Sequence, residues 1–171
     1  MINYDSIYSQ FYVCKGNLME IESALKEIRM VLKSHTTELT AAFESIYKMG
    51  IPDEADKIVI WIPLGSRYNL SFTYMTNDAN EIYKPGMDFG ELSVLDQPLE
   101  DLIDNYMDSE FYKDISRATD IEVASWLYTA LESSSFKSVS LHKAMAINNV
   151  CAYFDLKTLT LIDDSDMWPE Y

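Results

Sequence analysis

Lys57-Ile58-Val59-Ile60-Trp61-Ile62 runs unbroken into Pro63, and after it Tyr68-Asn69-Leu70-Ser71-Phe72-Thr73-Tyr74 alternates apolar with polar until Asn77-Asp78. From Ile58 onward the first run is β-branched or aromatic at every position, the pattern of a strand buried on both faces. The second has period two and one polar face. Joined across Leu64-Gly65-Ser66-Arg67, the two predict an antiparallel hairpin. A sheet with an apolar face must be covered, so the fold follows from what the flanking sequence supplies to cover it.

Upstream, Asn17 and Glu20 have the spacing of a capping box. The helix they open carries Leu18, Ile21, Leu25, Ile28, Leu32, His35, Leu39, Ala42 and Ile46 along one seam. Gly50 and Pro52 close it, and Ser34-His35-Thr36-Thr37 is a stretch of weak helix formers where it can kink or split. Before it, Tyr4, Ile7, Tyr8, Phe11 and Tyr12 recur at helical spacing ahead of Lys15-Gly16, with a strand through Phe11 to Cys14 as the alternative. Downstream, Pro85-Gly86 and Gly90 mark an irregular stretch from Glu81 to Leu95. Asp96 and Pro98 then open a helix whose Leu99, Leu102, Ile103 and Tyr106 face inward. Thr119 and Glu122 read as a second capping box, for a helix carrying Val123, Trp126, Leu127, Ala130 and Leu131. Val150 to Asp155 and Thr158 to Ile162, turning at Lys157, predict a closing hairpin. The order is helix, hairpin, helices, hairpin. It predicts one α+β domain over 1–171, with an antiparallel sheet of hairpins packed against a long N-terminal helix and further helices. At 171 residues, 48% of them hydrophobic, the chain has apolar material for one core.

Twenty-eight acids against 13 bases give a net charge of −15. The excess is localised: residues 51 to 135 hold 17 acids and 5 bases, a net −12, while the segments on either side hold −1 and −2. Such a field repels phosphate backbones and anionic lipid and speeds encounter with a basic partner, so neither nucleic acid nor membrane is an expected partner. The same charge also serves plain solubility. The start of the chain has no basic cluster followed by an apolar run, no run is long enough to span a bilayer, and Cys14 and Cys151 read as reduced thiols; a cytoplasmic location is expected.

Nothing in the sequence marks a catalytic or cofactor site. The five glycines stand apart at 16, 50, 65, 86 and 90, so neither a phosphate-binding loop nor a dinucleotide fingerprint forms, and Ser66 lacks the flanking glycines of a nucleophile elbow. His35 and His142 have no second His or Cys at zinc-ligand spacing, and no metal or other cofactor is expected. His35 falls on the apolar seam, as a core or interface histidine. His142 reads as a surface residue, with a thiol–imidazole pair to Cys151 as the alternative. Asp163-Asp164-Ser165-Asp166 lacks the glycine and closing glutamate of a calcium loop, and Asp53, Asp56 and Lys57 do not fall in the order a nuclease metal site needs.

What remains is surface. Glu100, Asp104 and Asp108 lie four apart, with Asp101 beside them, and predict one outward acidic ridge on a helix. Tyr68 and Tyr74 on the polar strand, Tyr83 in the irregular stretch and Tyr112 near the ridge are the aromatics expected outside the core. Together these eight residues form the candidate partner-binding set, suited to Arg and Lys. The ridge reads equally as a solubilising face.

The Lys57 to Ile62 hairpin, the acidic middle and the closing hairpin of Tyr153-Phe154-Asp155 and Lys157-Thr158 give the chain a plan that resembles the small acidic immunity proteins with which bacteria neutralise secreted toxins. The resemblance implies an intracellular, non-enzymatic protein that covers a basic partner, a toxin or other effector. Two other classes stay open: a secretion chaperone or assembly factor, which would be a homodimer with an apolar groove, and an enzyme with an unrecognised site, which would have a deep pocket of convergent polar groups.

Overall fold

The computed structural model describes residues 18–62, 70–78, 80–82, 96–109, 111–147 and 152–163. The seam of the first helix is realised in two pieces, α1 (Leu18–Ser34) and α2 (Thr36–Lys48). The split falls in the weak stretch, at His35, whose backbone N–H still donates to Leu32. Thr36 turns its hydroxyl back to the Leu32 carbonyl and accepts a bond from Trp126 Nε1 at 3.0 Å, so the break is fastened to a distant helix. Gly50, at φ 86°, ends α2 in the left-handed region that favours glycine. Ile21, Leu25, Ile28, Leu32, Leu39, Phe43 and Ile46 are all buried, so the seam of the two helices faces the core.

β1 (Lys57–Ile62) and β2 (Ser71–Met75) pair antiparallel, as the alternation predicts, with Ile58 opposite Tyr74 and Ile60 opposite Phe72. β3 (Glu81–Ile82) extends the sheet at one edge. The chain then forms α3 (Asp96–Asp104) and α4 (Tyr112–Glu132), a short 3-10 turn (Ser135–Ser138), and β4 (His142–Ile147), β5 (Ala152–Asp155) and β6 (Thr160–Asp163). The expected closing hairpin is β5 and β6, paired antiparallel.

Three expectations are corrected. The sheet is mixed rather than antiparallel: its order is β3-β2-β1-β4-β5-β6, and the central pair, β1 and β4, runs parallel with Lys57 beside His142 and Ile62 beside Ile147. Parallel neighbours need a long crossover, and the chain from β2 through α4 supplies it. Strand β4 was not anticipated. Thr119 and Glu122 do not cap a helix, because α4 is continuous from Tyr112 to Glu132. Thr119 turns its hydroxyl to the Ile115 carbonyl, and Glu122 is buried.

The two faces of the sheet carry separate apolar clusters. Ile58, Ile60, Ile62, Leu70, Phe72, Tyr74, Met145 and Phe154 join the helices in the main core. Val59, Met75, Ala144, Ala146 and Tyr153 form a smaller cluster on the opposite face, with Trp61 and Tyr153 meeting edge to face at 6.0 Å. β1 is thus buried on both sides, as its uninterrupted apolar run predicts. Seven consecutive residues of α4, Ile121 to Leu127, are buried, which makes it the innermost helix. Among the described residues no helix is long and apolar enough to cross a membrane.

Candidate functional site

The acidic ridge is built on α3 and the turn after it. Leu99 and Ile103 are buried and anchor α3 to the core, which turns Asp101 and Asp104 outward. The helix stops at Asp104. Tyr106 N–H donates to Ile103 and Met107 N–H to Asp104, at 2.9 and 3.1 Å, so Asp108 sits in a tightened turn and not one helical step further on. The single-helix ridge of Glu100, Asp104 and Asp108 is corrected accordingly: two short elements carry it. Asp101, Asp104 and Asp108 are exposed, beside an exposed Met107. Glu100 lies in α3, and its side chain is outside the described residues. Among those residues no cation is paired with Asp104 or Asp108.

The aromatic half of the candidate set is not brought to the ridge. Tyr68 and Tyr83 lie outside the described residues. Tyr74, expected on the polar face, is fully buried. The reason is parity. Leu70, Phe72 and Tyr74 alternate onto the helix-facing side, while Ser71 and Thr73 take the other. Tyr74 stacks edge to face on Phe72 at 5.1 Å, and its hydroxyl has no hydrogen-bond partner among the described residues. Burial, with the Tyr47 phenol adding to it, pushes its pKa up to about 12. Tyr112, the first residue of α4, is half-buried and packs against the main cluster.

The sequence did not disclose a polar cluster at one end of the sheet, on the face away from the helices. His142 Nε2 lies 2.9 Å from Asp155 Oδ2. The other oxygen of Asp155 accepts from the backbone N–H and the hydroxyl of Thr158, at 2.7 and 2.9 Å. The Thr158 and Thr160 hydroxyls are 2.7 Å apart. Burial pushes the Asp155 carboxyl up, but the Thr158 and His142 bonds outweigh it and hold the group below its ordinary value. An ionised carboxylate only accepts, so the bridging proton belongs to Nε2 of His142. Lys57 stands next to His142 across the parallel pair and is 5% exposed; burial lowers its pKa, with Asp56 opposing. The one local signal for this cluster is Asp155 with Thr158 three residues on, a local side chain-to-backbone pairing of the kind short polar residues make at turns.

His35 is the residue before α2, with Nδ1 3.2 Å from Glu38, and does not enter the core as its place on the seam predicts. Cys151 lies outside the described residues, so the alternative pairing of His142 with it falls there too, as does Cys14. Among the described residues no three His, Cys, Asp or Glu side chains converge as metal ligands. Comparison with family models, with curated proteins and with solved structures finds no match for this chain.

Proposed function

We propose that this chain is a non-enzymatic binding protein of the immunity or inhibitor type, which docks a basic protein partner on the carboxylates of α3 and the following turn. The reading rests on one observation. Between Lys84 and Lys113 the chain has eight acids and no Lys or Arg. Three of them, Asp101, Asp104 and Asp108, stand exposed over a buried anchor of Leu99 and Ile103. Carboxylates on an anchored helix lose little freedom when they meet Arg or Lys, and the field of the whole chain favours the approach of a basic surface. Charge complementarity of this kind raises the association rate and rejects acidic competitors.

Co-expression with each neighbouring gene product that arrests growth when expressed alone, scored as restored growth, tests the role, and no rescue by any of them would overturn it. Titration of the purified pair at low and high salt tests the surface. Replacing Asp104 and Asp108 by Lys is expected to weaken binding more than about tenfold and to flatten its salt dependence. Unchanged affinity and unchanged salt dependence in the double variant would place the docking surface elsewhere.

A further inference from the structure

We infer that Asp155 is a latch, released by acid, that holds the β5–β6 hairpin closed on the rest of the sheet. A single carboxylate joins β4 to the turn of the hairpin, and beside it the Thr158 and Thr160 hydroxyls tie the turn to β6. Oδ2 reaches across to His142 on β4, and Oδ1 takes both donors of Thr158 in the turn. The turn so held is strained. Leu159 has φ 55°, in the left-handed region a leucine avoids, and its N–H donates to the Asp155 carbonyl at 2.8 Å. The strain is maintained because Leu156 and Leu159 are both buried in the main core, at 0% and 3% exposure. The latch therefore sets two apolar plugs as well as the register of Asp155 with Thr160.

Protonation removes an acceptor and a charge together. His142 then faces a neutral acid, and the Thr158 donors lose the ionised partner that favours them. Because folding depresses this carboxyl, its contribution to stability is complete above the ordinary carboxylate range and is lost as pH falls through the depressed value. Other charged and titratable groups border the site. Lys57 stands on β1 beside His142, and Lys157 is in the turn. From α4 come Tyr128, which feels both Glu132 and Asp155, and Glu132 itself, 3.4 Å from Lys143. Asp56 precedes β1, acts on Lys57 and takes the His142 N–H on its carbonyl at 3.3 Å, so Glu132 and Asp56 are the rival sources of an acid response.

Residue-resolved hydrogen exchange on the full chain tests the latch. In the wild type, protection of the amides of residues 153–155 and 160–162 is expected to fall from about pH 6 to about pH 2, mostly below the ordinary carboxylate range, and to fall at least about threefold further than that of 58–61 and 72–74. Asp155→Asn should show the loosened hairpin already at the higher pH, with no further step. Thr158→Ala, which keeps the carboxylate and removes one donor, should loosen the same amides by a smaller factor. Parallel loss over β1 and β2 would show global acid unfolding and overturn the latch. A pH step that survives in Asp155→Asn would also overturn it and give the response to another carboxylate, Glu132 or Asp56.

Discussion

On α4 the carboxylate of Glu122 is buried, and Arg29 of α1 reaches it with Nε and Nη2 at 2.9 and 2.7 Å, while Nη1 turns to Glu22 at 2.8 Å. On α3 and its turn, the carboxylates of Asp104 and Asp108 face water with no cation paired to them among the described residues. The same group is a fastener in one place and free surface in the other. What separates them is the neighbouring apolar pattern. Glu122 sits inside seven consecutive buried residues, so its charge must be matched, whereas α3 buries a single stripe and leaves the opposite side open.

The comparison breaks most easily at the apolar anchors. Leu127 on α4 and Ile103 on α3 are both 0% exposed. Truncating either to Ala should cost about 3 kcal/mol in a denaturant melt, from lost transfer energy plus a cavity. Equal losses would show that α3 is seated as firmly as α4 and differs only in its outer side. A loss below about 1 kcal/mol at Ile103 would mean that α3 is weakly held, and the rigid platform argued for the acidic surface would go with it.

Removing the fastener ranks next. Glu122→Ala takes away the buried partner of Arg29 while the exposed partner Glu22 stays, and because the Arg29 side chain is 37% exposed, water recovers part of the lost interaction. A destabilisation of about 2 kcal/mol is expected, below that of a fully buried pair broken on one side. Glu122→Gln keeps the shape and an acceptor and should lose about half as much. If both variants melt with the wild type, the Arg29 contact is incidental and α1 is held to α4 by apolar packing alone.

The same contrast explains what could be read from the sequence. β1, β2 and the closing hairpin were legible because their β-branched and aromatic residues repeat with strand period, and α1 and α2 because their seam repeats with helical period. β4 was not. His142-Lys143-Ala144-Met145-Ala146-Ile147 has no β-branched or aromatic residue before Ile147, and its place between β1 and β5 makes it extended. Small residues suit that place, since Ala144 and Ala146 sit between Val59 and Trp61 on one side and Tyr153 and Asp155 on the other. Missing β4 also hid the parallel pairing and the approach of His142 to Asp155. Thr119 and Glu122 show a second limit. Their spacing fits a cap and equally fits one buried turn of a long helix, and only the partner Arg29, far away in sequence, decides between them. The acidic surface was legible as composition, but where α3 ends, at Asp104, was not.

The smallest expected effect on stability is the sharpest test of the contrast. The carboxylates of Asp104 and Asp108 accept from no other side chain among the described residues, and no burial has to be undone when they are replaced. Reversing both to Lys should move the unfolding free energy by no more than about 0.5 kcal/mol. The sign should be slightly favourable at low salt, because two positive charges enter a region of net −12, and it should fade as salt screens the field. The measurement is a pair of thermal melts, at low and at physiological ionic strength, on the wild type and the double variant. A loss of 1 kcal/mol or more, insensitive to salt, would mean that these carboxylates hold the turn after α3 in place, as Asp155 holds its own. They would then be fasteners like Glu122, and a partner's arginines would have to compete with the fold for them.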